Sequence, residues 1–301
     1  MPSESTAAAL EFGALSAPRT GRRVRMGRFA RRQPVLLLAV FVLFVMAAAA
    51  ALAPAIAPYS PTEHHLSDGL VSPNSTYLLG TDQYGRDILS RTMYAGRVSL
   101  VVGFGVMILG GLLAALLGGL SGYAGGWLDA LIQRTVDAFL SVPTLLLLMT
   151  VLSVIGASVT KMVIVIAVLF MISSSRITRS AVLVIKAQQY VEAARSTGAG
   201  PIRILLRYVF PNAAAPIIVV SSLIFGYAIL VEAALGFLGF GVPPPTVTWG
   251  GMLAGDSRTF IITAPWIAIA PGVALTVVVL AVNLLGDSLR DILDPRLKGI
   301  G

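Results

Sequence analysis

The chain alternates long apolar runs with short polar stretches. Residues 35–58, 98–122 and 261–285 hold no Asp, Glu, Lys or Arg. Runs of this kind exceed or approach the ~20 residues a helix needs to cross a bilayer. Backbone amides in lipid must be paired within their own segment or a closed barrel, and no strict two-residue alternation appears, so helices are predicted. Spans are read at 35–58, 98–122, 138–155, 162–181, 213–235 and 261–285. The second is rich in glycine (Gly103, Gly105, Gly110, Gly111, Gly118, Gly119), which lets neighbouring helices approach closely. Between them lie a polar segment at 59–96, a short polar connection marked by Asp129, Arg134 and Asp137, a polar helical loop at 182–212, and a Gly- and Pro-rich loop or re-entrant piece at 237–257. Arg176 and Arg179 are expected to snorkel from the end of the fourth span.

Composition agrees with this class. Of 301 residues, 56% are hydrophobic and 12% charged, against about 25% charged in soluble domains. The net charge of +8 reads as basic residues kept on the cytoplasmic side. Aromatics do not interleave with them as a nucleic-acid platform would require. Cysteine is absent. With the N-terminus inside, 17 of the 22 Lys and Arg residues fall inside, an even number of spans follows, and both termini are cytoplasmic. The expected organisation is a disordered basic arm (1–33), a first span (34–58), an extracytoplasmic segment (59–96), a five-helix core (97–287) and a cytoplasmic tail (288–301). Ala55-Ile56-Ala57 resembles a signal cleavage site, but the apolar run before it is longer than a usual signal core.

The loop before the fifth span has its own pattern. A short helix through Tyr190, Glu192, Ala193, Ala194 and Arg195 is predicted to stop at Gly198 in a left-handed conformation. Pro201 suits the first turn of a second helix. Ile202, Leu205, Leu206, Val209 and Phe210 recur at helical spacing on one face, and Pro211 is expected to break the helix before span five. The two helices form either a docking surface for a partner or a connection lying on the membrane.

Several strings then converge on one family. Glu192-Ala193-Ala194, Gly198, Leu205-Leu206 and Pro211-Asn212 closely resemble the EAA loop of ABC importer permeases. Leu79-Gly80-Thr81-Asp82, Gly85-Arg86-Asp87, Gly122-Tyr123-Ala124-Gly125-Gly126, Phe237-Leu238-Gly239-Phe240-Gly241 and Asn283-Leu284-Leu285-Gly286-Asp287 are similar to the peptide-type permeases, in family order. Tyr208 and Tyr77 stand where the family usually has His. The resemblance, to the second permease subunit of dipeptide, oligopeptide or nickel importers, covers nearly the whole chain from Val35 onward. It implies an all-α type I ABC importer permease fold with six transmembrane helices in the plasma membrane. It also implies a heterodimer with a second permease, two ATPase subunits below, and an extracytoplasmic binding protein delivering peptide above. Tyr190, Glu192, Ala193, Ala194, Arg195, Gly198 and Pro211 would belong to the loop that couples to the ATPases. ATP and Mg would be bound by those partners, with no cofactor in this chain. A nickel or metal-chelate importer of the same family, or a stand-alone carrier, is the alternative.

A phosphate-binding P-loop needs Gly-Lys-Ser/Thr, yet Lys161, Lys186 and Lys298 follow Thr160, Ile185 and Leu297. His64 and His65 are adjacent without a third ligand and read as a solvated pair. Glu232, near the outer end of span five, reads as structural, a polar contact to the partner permease being one form that role could take. No paired aspartates lie within spans, as an intramembrane aspartyl protease would need. The absence of an internal repeat and of mid-span ionisable groups in spans one, two, three and six weighs against a carrier.

Overall fold

A computed structural model describes residues 33–293, with the side chains of 256 and 257 excepted. The basic arm before Gln33 and the end of the tail lie outside the described residues. The described chain is helical: α1 (Pro34–Ala51), α2 (Ala53–Ile56), α3 (Ile88–Ala124), α4 (Gly126–Leu140), α5 (Thr144–Ile155), α6 (Val159–Lys186), α7 (Gln189–Ser196), α8 (Pro201–Ile204), α9 (Phe210–Phe237), α10 (Trp249–Leu253), α11 (Asp256–Phe260) and α12 (Trp266–Leu293). Five stretches are long and apolar enough to cross a membrane, and the bent pair α4–α5 makes a sixth if counted as one span.

The glycines of α3 explain how the bundle packs. Along one face Gly105, Gly110, Gly118 and Gly122 meet Val163, Ala167, Ser175 and Arg179 of α6, so the two helices run parallel. Along the next face Gly103, Gly111 and Gly119 meet Ile229, Ser221 and Phe210, so α9 runs antiparallel to α3. In lipid, association relies on close packing rather than exclusion of water, and small residues permit it. Around this centre lie two apolar cores. Ile88, Leu100, Phe225, Ile229, Trp249, Ile267 and Val278 join α3, α9, α10 and α12. Val106, Leu148, Met162, Ile166, Ile224 and Leu235 join α3, α5, α6 and α9. By contrast α1 turns Val35, Leu37, Leu38, Val40, Phe41 and Phe44 outward, an apolar surface suited to lipid.

Several expected boundaries move. The helix of span two begins at Ile88 rather than Val98, because Asp87 caps it by accepting from the Ser90 amide at 2.7 Å. The polar connection at 129–137 is itself helical, as α4. The continuous span expected at 138–155 is broken: α4 and α5 meet at 85°. Pro143 disfavours helical geometry in the residue before it, and α5, with 12 residues, is only about 18 Å long. Span six starts at Trp266, after Pro265, and its helix continues through Leu293, so residues 288–293 of the expected tail are helix.

At one end of the bundle the polar segment and the loop after α9 form a cap. Trp266 donates from Nε1 to the Thr81 carbonyl at 3.0 Å and Trp249 to the Thr92 carbonyl at 3.0 Å. The loop folds back onto α9: a Cβ on Gly250 would lie 2.5 Å from the Ala233 backbone. Asp82 accepts from the Tyr84 and Arg86 amides and from Arg86 Nε at 2.6 Å. Tyr77 is buried, and its hydroxyl donates to Asp68 at 2.9 Å. Burial, then that carboxylate, push the Tyr77 pKa up to about 12.

Candidate functional site: the loop between α6 and α9

The loop lies at the end of the bundle opposite this cap. Helix α7 ends as its sequence requires. Gly198 sits at φ +84; its N–H donates to the Arg195 carbonyl at 3.0 Å, and the Ala199 N–H reaches back to the Ala194 carbonyl at 3.1 Å. This paired pattern closes the helix with a residue that pays no Cβ penalty at positive φ. Pro201 occupies the first turn of α8.

The loop is seated on its own apolar core of Val182, Val191, Ile204, Val209 and Ala213. Val191 and Ala194 point into the body of the protein, Ala194 at 7% exposure, whereas Tyr190, Glu192, Ala193, Arg195 and Gly198 are exposed. Ala194 is thus part of the seat of α7 and not of its outer face. The single apolar face expected for the second helix is split as well. Ile204 and Val209 are buried, while Ile202 is 72% and Leu206 61% exposed. Arg203 and Arg207 flank them in the open.

Pro211 does not break the chain's helical path. Residues Leu205–Val209 form a π turn, with the Phe210 N–H donating to the Leu205 carbonyl, and α9 continues directly with Pro211 in its first turn. The wider turn accommodates a residue that has no N–H and whose ring crowds the preceding turn. The loop's second helix therefore runs on into span five without a break in the helical path.

A polar belt ties down the neighbouring helix ends. Arg179 donates from Nε and a terminal nitrogen to the two oxygens of Asp129 at 2.6 and 2.5 Å. Ser121 also donates to Asp129, and Arg176 pairs with Asp137. Lys186 reaches the Tyr123 carbonyl at 2.5 Å. Arg176 and Arg179 are thus paired to α4 rather than snorkelling. The bidentate geometry favours arginine over lysine here. The sequence displayed all of these residues, but nothing in their spacing shows which aspartate meets which arginine.

The remaining candidates fall elsewhere. Glu232 is fully buried and accepts from Ser99 Oγ at 2.9 Å within this chain, so it bridges α9 to α3 instead of awaiting a second permease. His64 and His65 pack edge-on against Tyr84 and Tyr59, and among the described residues no group of three or more His, Asp or Glu is placed to hold a metal ion.

Residues 107–299 match the family described as binding-protein-dependent transport system inner membrane component. The chain belongs to that family. It is 41% identical to a dipeptide transport system permease protein of Haemophilus influenzae, over 94% of this chain and 97% of the relative. It is 39% identical to a putative peptide transport system permease protein of Brucella suis, over 93% and 92%. Identity to a glutathione transport system permease protein of Escherichia coli is 38%, over 90% and 89%. The chain is a membrane permease of an ABC-type, binding-protein-dependent importer, and its work is transport rather than catalysis.

Proposed function

We propose that this permease carries peptides across the plasma membrane, with both termini cytoplasmic, as one half of a heterodimer. Two ATPase subunits bind below the pair, one of them docking on this chain's loop at 188–212, and an extracytoplasmic binding protein delivers substrate to the cap at the other end. The observation that carries this reading is mechanical. Helix α7 presents Tyr190, Glu192, Ala193 and Arg195 outward while its inner face is fixed to the bundle, and α8 runs through a π turn into α9 without a hinge. Movement of a docked ATPase would displace these spans as one body. The names of the relatives favour a peptide substrate over nickel.

The test is isolation of the tagged chain from its native membrane, followed by reconstitution. Co-isolation of a second permease and ATPases, with dipeptide uptake that requires ATP and a binding protein, is the expected result. Gly198→Asp adds a charge where a Cβ would meet nothing within 4 Å, but at φ +84 any side chain strains the helix stop, so Gly198→Ala, which carries the same strain without the charge, is measured beside it and the loss is read relative to it. ATPase recovery is expected to fall. Uptake by the chain alone without ATP, or full ATPase recovery and transport with Gly198→Asp, would overturn the proposal.

A further inference from the structure

One face of the bundle is unsuited to lipid. Phe170 and Ser173 of α6, Leu223, Gly226, Tyr227 and Leu230 of α9, and Asn283 of α12 line an open groove of about 360 Å³. A second depression of about 370 Å³ shares Ile177 and Val220 with it and extends the groove past Pro216 to Arg290 and Leu293. Asn283 lies ten residues from the end of α12, roughly 15 Å along the axis, and Gly226 is level with it, since a Cβ there would be 3.3 Å from the Asn283 side-chain oxygen. Gly226 is near the middle of span five as read at 213–235, so this depth is inside the bilayer although Asn283 is only two residues short of the end read for span six at 285. Ser173 and Asn283 are exposed, and Tyr227 is 54% exposed.

An amide facing hydrocarbon has no hydrogen-bond partner and costs several kcal/mol. The outward face of α1, which carries only apolar side chains between Val35 and Val45 among its large exposed residues, shows what a lipid-facing surface in this chain looks like. The groove instead combines apolar walls with an amide, a phenol and hydroxyls. The lining of the upper part, from Leu230 to Val220, contains no ionisable acid or base in the physiological range; the fixed charges beyond it on α12 are Asp287, exposed one turn after Asn283, and Arg290, which lines the lower part.

We infer that this groove is a substrate-contacting wall of the translocation pathway, in which Tyr227 and Asn283 offer hydrogen bonds to the peptide backbone. The inference rests on the importer reading and names the residues by which this chain touches cargo. Backbone N–H and C=O groups are common to every peptide, and an amide can both donate to and accept from them. A neutral wall neither attracts nor repels charged side chains, so peptides of either sign pass. Phe170, edge-on to Tyr227 with ring centroids 5.2 Å apart, holds the phenol in position.

The natural absence of cysteine makes the test clean. In the assembled complex in membranes, single Asn283→Cys and Phe44→Cys variants are exposed to a charged thiol reagent, and labelling is read on this chain after denaturing separation. Cys at 283 is expected to label at least tenfold faster than Cys at 44. Equal rates would overturn the lining itself, whatever the cargo. Asn283→Asp is then assayed for uptake of a glutamate-containing and a lysine-containing dipeptide. A fixed negative charge in a low-dielectric groove is expected to depress the acidic peptide's uptake roughly tenfold relative to the basic one. A uniform loss, or no change, with rapid labelling at 283 and the complex intact, would overturn the role in peptide contact while leaving the importer reading standing.

Discussion

Replacing Gly118 with alanine tests whether glycine in α3 is there for close approach. A Cβ at 118 would lie 2.4 Å from the Ser175 carbonyl oxygen, 2.7 Å from Thr178 Cβ and 2.9 Å from the Arg179 amide nitrogen. Two of these are backbone atoms of α6 and cannot rotate away. Restoring ordinary contact requires the helices to part by about 1 Å, and such overpacking typically costs ~1–3 kcal/mol. Because two backbone atoms are met, the upper end of that range applies, and since alanine recovers only about 1 kcal/mol of helix propensity over glycine, the net loss is about 2 kcal/mol. Gly119→Ala is the internal control. Its Cβ would meet the far edge of the Phe210 ring at 2.5 Å, a side chain able to turn aside, so a smaller effect is expected. Gly200→Ala, with nothing within 4 Å, should be neutral. The assay is thermal unfolding of the purified complex in nanodiscs, followed by tryptophan fluorescence. A midpoint for Gly118→Ala equal to or above wild type, or a larger loss at 119 than at 118, would refute the packing argument.

Two further outcomes are expected. Ala194→Asp buries a carboxylate in the seat of α7 and should lower the thermal stability of the chain itself by several kcal/mol. Ala193→Asp, one residue away and exposed, should leave stability unchanged and instead reduce ATPase co-isolation; the same stability loss in both would contradict the assigned orientation of α7. Tyr77 has its pKa raised from 10.0 to about 12, so the stabilisation from its protonated hydroxyl is complete below about pH 10 and is lost as pH rises toward 12. The ultraviolet difference between wild type and Tyr77→Phe should show no tyrosinate from Tyr77 until that upper range. Ionisation near pH 10 would show that the hydroxyl is not buried against Asp68.

The amino-acid pattern by itself determined the class, the approximate spans and the turn chemistry of the loop. Charge-free runs of bilayer length admit little else, and Gly198 and Pro201 have backbone preferences that act locally, so their conformations were legible from composition and spacing. The glycines of α3 announced close packing, but their allotment to two partners, α6 and α9, depends on helix rotation that a sequence does not display. The tertiary structure alone decided the rest. It buried Ala194 while exposing Ala193, turned Glu232 toward Ser99 in the same chain, and paired Arg179 with Asp129 across 50 positions. It also replaced the break expected at Pro211 with a π turn. A missing N–H states only that an ordinary turn is disfavoured there, not which relief the surrounding helices allow. Asn283 was visible in an otherwise apolar span, yet a lone amide carries no direction until α6 and α9 stand beside it and leave it facing an open groove.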